Sequence, residues 1–158
     1  MKKVILIGID PGKTTGYAIK NLETGKFEEI GSAGIIMTIE LLDTYFGDDC
    51  FVIIEDARQW NGYSRGMKAG VMAAKAQGSG SVKRDCQIWQ EYMRHWSIDF
   101  KMVPPSWKGA KLDAKMFKLV TGWQGRTNSH GRDAAMLIAS IDSAWVERYV
   151  EMELSKLN

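Results

Sequence analysis

The chain has 158 residues, of which 45% are hydrophobic and 25% are charged, and its net charge is +2. These values argue against a disordered or fibrous protein and are typical of one globular domain, which we expect to span 1–158. No apolar run approaches the length of a membrane span, and Lys2-Lys3 precedes a run that ends in Asp10, so we expect neither a membrane partner nor a signal peptide. Cys50 and Cys86 lack metal-ligand spacing and are expected to stay reduced, as in a cytoplasmic protein.

Hydrophobic periodicity predicts strands and helices in a mixed order along the chain. Strands are expected over 3–10, 14–20, about 26–32, 51–54 with Glu55 at its end, and 98–103. Helices are expected over 35–46, 64–77, 82–96, about 110–121, and from Asn128 or Ser129 to about 153. The first helix would bury an apolar stripe of Ile35, Ile36, Ile39, Leu42 and Phe46, and Gly78 to Ser81 would separate the second helix from the third. This order predicts an α/β fold with a mixed five-stranded sheet flanked by helices, antiparallel at the start and parallel later.

The first motif, GIDPGKTTG at 8–16, resembles a phosphate-binding P-loop but departs from it in spacing and chemistry. Three residues separate Gly8 from Gly12-Lys13-Thr14 where a P-loop has four, Pro11 removes a backbone N–H, and Asp10 would repel phosphate. The following residues read as a strand rather than a helix. We therefore interpret the motif as a hairpin turn that follows an acid at a strand tip, with no nucleotide cofactor.

Two acids are predicted to end neighbouring strands, and a helix supplies two more polar groups. If the strands that end in Asp10 and Glu55 are parallel neighbours, their carboxylates lie side by side at one edge of the sheet. His130 and Asp133 both point inward at the start of the last helix, whereas Asp142 is expected at the surface. Each residue alone has an ordinary explanation as a turn, ion-pair or capping residue, but together they favour a Mg²⁺ or Mn²⁺ site. Two such ions about 3.5–4 Å apart would suit phosphodiester hydrolysis.

The motifs GIDPGKTTGYA at 8–18, FVIIE at 51–55 and HGRDAAMLIA at 130–139 resemble those of RuvC Holliday-junction resolvases, which have a ribonuclease-H-like fold. The resemblance implies that Asp10, Glu55, His130 and Asp133 are catalytic metal ligands. It further implies two ions per active site and a homodimer that resolves four-way DNA junctions by paired symmetric nicks. A bacterial or phage-infected cell would be the setting, and the sequence looks more like a phage-type member.

Two lysines also match the family's pattern, and one position departs from it. Lys108, in Pro104-Pro105-Ser106-Trp107-Lys108, and Lys115 match the family's lysine positions. The resemblance implies a catalytic role for both, in contact with phosphate or in stabilising transition-state charge near the metals. Where the family often has an aromatic wedge, three residues after the second acid, this chain has Arg58, with Trp60 and Tyr63 nearby.

The charge is distributed unevenly along the chain. Residues 58–132 hold 14 Lys and Arg against 4 Asp and Glu, whereas 1–57 and 133–158 are both net acidic. A basic middle segment predicts a polyanionic partner, although a solvated helix face is the ordinary alternative. The residues that could contact DNA are Arg58, Trp60, Tyr63, Arg65, Lys68, Lys75, Lys83, Arg84, Lys108, Lys111, Lys115 and Lys118.

Three other functions are compatible with parts of the sequence. A ribonuclease-H-fold nuclease of the YqgF type would act on RNA, and a non-catalytic protein would bind junctions without cutting them. The motif at 10–16 also fits the phosphate loop of the actin and hexokinase group, but those proteins need two such domains.

Overall fold

The structure is a computed structural model that describes residues 2–60 and 68–157, apart from the side chains of 71–79. Within these residues one mixed sheet has five strands in the spatial order β3-β2-β1-β4-β5. The strands are β1 (Ile5–Asp10), β2 (Thr15–Asn21), β3 (Phe27–Ala33), β4 (Cys50–Glu55) and β5 (Phe100–Val103). The first three strands pair antiparallel, while β1 with β4 and β4 with β5 pair parallel. The predicted α/β order and mixed sheet are confirmed.

Helices cover both faces of the sheet. The α-helices of the described residues are α1 (Ile35–Leu42), α2 (Ala69–His95), α3 (Ala114–Thr121), α4 (Ser129–Ile138) and α5 (Ser143–Ser155). Two short 3-10 helices, Ala57–Gln59 and Pro105–Lys108, follow β4 and β5. Among these helices none is long and apolar enough to cross a membrane.

Alternation along the strands decides which side chain meets which helix layer. In β1, Leu6 belongs to a core cluster with α4 and α5, whereas Ile7 and Ile9 belong to a second cluster with α1 and α2. The same alternation holds in β4, where Phe51 and Ile53 face the α4 layer. Asp10 is four positions after Leu6, and Glu55 is two positions after Ile53. By the same alternation, both acids lie on the α4 side of the sheet.

The helix α4 packs against the sheet at unusually short range because two glycines lie beneath it. A Cβ atom at Gly8 would lie 2.3 Å from the Ala134 carbonyl oxygen. A Cβ atom at Gly16 would lie 2.0 Å from the carbonyl oxygen of His130. Since both obstacles are backbone atoms, any larger residue would push the start of α4 off the sheet.

The structure corrects several predicted helix boundaries. The predicted break at Gly78 to Ser81 is absent, since α2 is continuous from Ala69 to His95, and its predicted start at 64 lies outside the described residues. The helix expected over 110–121 begins at Ala114, because the Asp113 carboxylate accepts a hydrogen bond from the Met116 N–H and caps it. The first helix ends at Leu42, and Ile36 in its predicted buried stripe is 68% exposed.

The predicted long last helix is in fact two helices, α4 and α5. The ammonium of Lys20, a buried residue of β2, donates hydrogen bonds to the carbonyl oxygens of Ile138, Ala139 and Ile141 at 3.4, 2.9 and 2.7 Å. The Ile138 carbonyl also accepts the Ile141 N–H at 3.1 Å, so Lys20 binds the turn that follows α4, where the helix dipole favours a cation. Asp142 then caps α5 by accepting from the Trp145 N–H, and it is exposed as predicted.

We predict that Gly16→Ala lowers the free energy of unfolding by about 2 kcal/mol or more, because the new methyl group meets backbone at the start of α4. Gly80→Ala is the matched control, since Gly80 lies inside α2 and a Cβ atom there meets nothing within 4 Å. The control should gain up to about 1 kcal/mol from its higher helix propensity. Urea denaturation of both variants measures the difference, and equal stability of the two would contradict the close packing.

Candidate active site

Four polar side chains named from the sequence lie at one edge of the sheet, on the α4 side. Asp10 ends β1 and Glu55 ends β4, and the parallel register pairs Ile9 with Ile54, so the two acids are adjacent in the sheet. His130 and Asp133 belong to the first half of α4, which Asn128 caps by accepting a hydrogen bond from the Gly131 N–H. Two strand tips and a helix start thus bring these residues together.

The side chains pair through two sets of short contacts. The Asp10 Oδ2 atom lies 3.6 Å from His130 Nδ1. The Lys108 ammonium lies 2.5 Å from Glu55 Oε2 and 3.4 Å from Asp133 Oδ2, and so joins the other two acids. Lys111 approaches the same Asp133 oxygen at 3.5 Å. The acids are nearly buried, with Asp10, Glu55 and Asp133 side chains 12%, 13% and 10% exposed, whereas His130 is 49% exposed.

This environment shifts the protonation of Asp10. Burial raises the pKa of Asp10 to about 6, and the negative charges of Glu55 and Asp133 add to the rise. Lys108 and His130 act in the opposite direction and do not cancel it. Asp10 is therefore a carboxylate whose charge is poorly compensated in the protein alone, which is the state expected of a cation ligand.

Lys108 is charged in this cluster. Burial alone would lower the pKa of Lys108, but its hydrogen bond to Glu55 and the charges of the nearby acids outweigh burial and raise that pKa. A buried ammonium between two carboxylates is a stable arrangement only while both partners remain ionised.

The backbone that carries Lys108 is anchored to α4. Lys108 ends the 3-10 helix Pro105–Lys108, and the preceding Trp107 donates its indole N–H to the Leu137 carbonyl oxygen at 3.0 Å. The Trp107 ring also meets the edge of Trp145. Because Asp133 lies on the same helix as Leu137, the Trp107 contact fixes the lysine stem relative to one of its acids.

Arg58, predicted to contact DNA, is held by Asp56 and Gln90. Its guanidinium donates to Asp56 Oδ1 and Oδ2 at 2.7 and 3.0 Å and to Gln90 Oε1 at 3.0 Å. Burial would raise the pKa of Asp56, but the hydrogen bonds and charge of Arg58 outweigh burial and hold that pKa below its usual value. Among the described contacts, Glu55 pairs with Lys108 and Arg58 pairs with Asp56.

The remaining residues predicted to contact DNA fall into three groups. Exposed side chains just before α2, on α2, on α3 and in the loop before α3 are Lys68, Lys83, Arg84, Lys111, Lys115 and Lys118. Trp60 follows the 3-10 helix Ala57–Gln59 and is 43% exposed. Tyr63, Arg65 and the side chain of Lys75 lie outside the described residues. Lys115 is therefore not part of the buried cluster that contains Lys108.

The donor set has the chemistry of a site for hard divalent cations. Three carboxylates and one imidazole supply the oxygen-rich ligands that Mg²⁺ and Mn²⁺ accept. In 2–60 and 68–157, however, no three Asp, Glu, His or Cys side chains are gathered in an arrangement that could hold a metal ion directly. The lysine contacts account for part of this arrangement, because Lys108 lies between Glu55 and Asp133.

Two residues that shape the site were not identified from the sequence. The sequence predicts no role for Asp56, although an Asp two residues before Arg58 is suited to accept the Arg58 N–H with its side chain, as Asp56 does. The motif that contains Trp107 predicts no contact for its indole. Its bond to Leu137 spans 30 positions, and no local pattern signals such a contact.

Comparison with known proteins gives matches among solved structures alone. No family model and no curated protein matches the chain. Among solved structures, the chain is similar to T. thermophilus RuvC in complex with a Holliday junction substrate, with 16% sequence identity and a TM-score of 0.54. The match covers 93% of this chain and 96% of that one. At this identity the likeness concerns the fold.

The chain therefore has an α/β, ribonuclease-H-like fold of the RuvC kind, as its first and last motifs predicted. The mixed five-stranded sheet and the helices on both of its faces are shared features of that fold.

We predict that Asp10→Asn stabilises the metal-free protein at pH 8. The folded-state pKa of about 6 lies above the ordinary aspartate pKa of 3.8, so ionised Asp10 favours the unfolded chain. The gain should be on the order of 2–3 kcal/mol at pH 8, shrink as the pH falls from 6 to 4, and vanish below that range, where the carboxyl is protonated in both states.

Urea denaturation in a chelator at pH 4, 6 and 8 measures this dependence. Glu40→Gln, at an exposed position of α1, is the matched control and should change little at any of these pH values. A variant less stable than wild type at pH 8 would contradict an uncompensated charge on Asp10.

Proposed function

We propose that the chain is a metal-dependent endonuclease that resolves Holliday junctions or related branched DNA by paired symmetric nicks. The observation that carries the proposal is the meeting of three nearly buried acids, Asp10, Glu55 and Asp133, with His130 at one edge of a RuvC-like sheet. The similar T. thermophilus RuvC structure contains a Holliday junction substrate, which supports the choice of DNA class.

The residues that would hold Mg²⁺ or Mn²⁺ are Asp10, Glu55, His130 and Asp133, with two ions in each active site. The fit rests on donor chemistry and on the raised pKa of Asp10, which indicates a carboxylate short of positive charge. When bound, such ions activate a water molecule and stabilise the charge that develops on the attacking and leaving oxygens of a phosphodiester.

The protein's own groups would position the DNA around these ligands. His130 is half exposed, whereas the three acids are nearly buried. Lys108 and Lys111 bring positive charge to within 3.5 Å of Asp133, so a phosphate at this edge would meet two ammonium groups. Lys115, exposed on α3, would contact phosphate farther out.

The wider DNA interface would use exposed cations on α2 and α3. Lys83 and Arg84 on α2 and Lys118 on α3 are exposed and suited to non-specific phosphate contacts. Arg58 has part of its hydrogen-bonding capacity used by Asp56 and Gln90, so it would present a fixed rather than a mobile guanidinium. Trp60 offers an exposed ring on which a base could stack.

The remaining parts of the proposal follow from the same resemblance. We propose one nuclease domain over 1–158 that acts as a homodimer, since two opposed strands must be nicked. The phage-type assignment and the cytoplasmic location stay predictions.

We predict cleavage of a labelled four-way junction in Mg²⁺ or Mn²⁺ by the wild-type chain and none by Asp10→Asn. The asparagine removes a charged ligand while keeping the size of the side chain, so junction binding in a gel-shift assay should persist. Glu40→Gln should cut at the wild-type rate, because its exposed position on α1 belongs to none of the proposed contacts. A linear duplex and an RNA–DNA hybrid are compared in parallel.

The products distinguish the proposed function from its alternatives. Paired nicks at symmetric positions of the junction, lost in Asp10→Asn, would support resolution. Cleavage of RNA or of the hybrid but not of the junction would identify the chain as an RNA nuclease. Junction binding without cleavage in either metal would identify a non-catalytic junction-binding protein.

A further inference from the structure

The Lys108 ammonium has an unusual position for a lysine of a nucleic-acid-binding surface. Its side chain is only 11% exposed, and its nitrogen contacts Glu55 at 2.5 Å and Asp133 at 3.4 Å. Lys111, by contrast, is 75% exposed and meets Asp133 alone. Lys108 therefore directs its charge toward the acids of the site rather than toward solvent.

The Lys108 backbone is fixed while its side chain remains a long flexible arm. Trp107 anchors the 3-10 helix Pro105–Lys108 to α4 through the Leu137 carbonyl oxygen, and Gly109, with φ of 74°, ends that helix. Four methylene groups separate the ammonium from the anchored backbone, so the charge can change partners while the fold stays in place.

We propose that Lys108 is a resident counter-cation whose ammonium takes the place of a divalent ion between Glu55 and Asp133 when the protein is free of metal. This inference rests on the proposed function, because it requires that the same acids hold a metal. Lys108 and the ion would then bind in competition, and the released ammonium would be free to contact the phosphate of the DNA.

The physical basis of the competition is charge and space. Two cations that share the same carboxylate oxygens repel each other strongly at separations of about 4 Å, and burial weakens the screening by water. In the metal-free protein the same lysine offsets the mutual repulsion of the acids. Lys108 would thus stabilise the metal-free site and raise the metal concentration needed to fill it.

The test is the affinity for Mn²⁺ without DNA, measured by titration calorimetry on the full chain. Lys108→Met keeps the length and apolar stem of the side chain but removes its charge, and we expect binding about tenfold tighter than in wild type. Lys26→Met is the matched control, because Lys26 is exposed in the turn between β2 and β3, and it should bind as wild type does. A lysine that only supports the structure would make binding weaker when removed.

A second measurement uses the wild-type chain and does not depend on the folding of a variant. Reductive methylation followed by peptide mapping reports how accessible each lysine amine is. We expect Mg²⁺ to increase the modification of Lys108 several-fold and to leave that of Lys26 unchanged. Unchanged modification of Lys108 at saturating metal would overturn the inference.

The outcomes separate this inference from the proposed function. If wild type binds Mn²⁺, Glu55→Gln weakens the binding, and Lys108→Met does not tighten it, the competition is wrong while the metal site stands. If neither wild type nor Lys108→Met binds the ion, the inference and the proposed function are overturned together. Tighter binding by Lys108→Met alone supports both.

Discussion

The direct contact of α4 with the sheet is the constraint on which the rest of the site depends. Gly8 and Gly16 leave no side chain between the strands and the helix backbone, so the start of α4 lies against β1 and β2. Alternation along the strand then places Asp10 on the same side as Gly8. A larger residue at either glycine would separate the strand-tip acids from His130 and Asp133 on the helix.

This packing brings three carboxylates together, and their mutual repulsion has to be offset by positive charge. Asp10 remains the least compensated acid, with its pKa raised to about 6 mainly by burial, while Lys108 pairs with the two other acids. A core that minimised its own energy would replace such a cluster with apolar groups. The cluster of acids lies beside exposed basic residues. Its presence is understandable if a metal ion and a phosphate balance its charge, and the protein without them is then less stable.

The sequence predicted most of what depends on local pattern. Continuous apolar runs placed β1 and β4, and their terminal acids followed from the parallel pairing. The predictions that failed concern where helices end. Gly78 to Ser81 has the composition of a break, but α2 continues through it, as tertiary context often overrides propensity. Helical periodicity from 129 to 153 concealed the end of α4, because the cation at that end, Lys20, lies over a hundred residues earlier.

The helix α4 therefore has its two ends defined by different parts of the chain. Its first turns carry His130 and Asp133, its last turn accepts the Trp107 hydrogen bond at Leu137, and the carbonyls at and just after its end accept those of Lys20. Burial lowers the pKa of Lys20, so this cation is held at a cost that its three carbonyl contacts offset. Because the same ten-residue helix links β2 to the segment that bears Lys108, the position of the acids is set by contacts far from them. The helix α4 therefore contributes both to the stability of the fold and to the geometry of the proposed site.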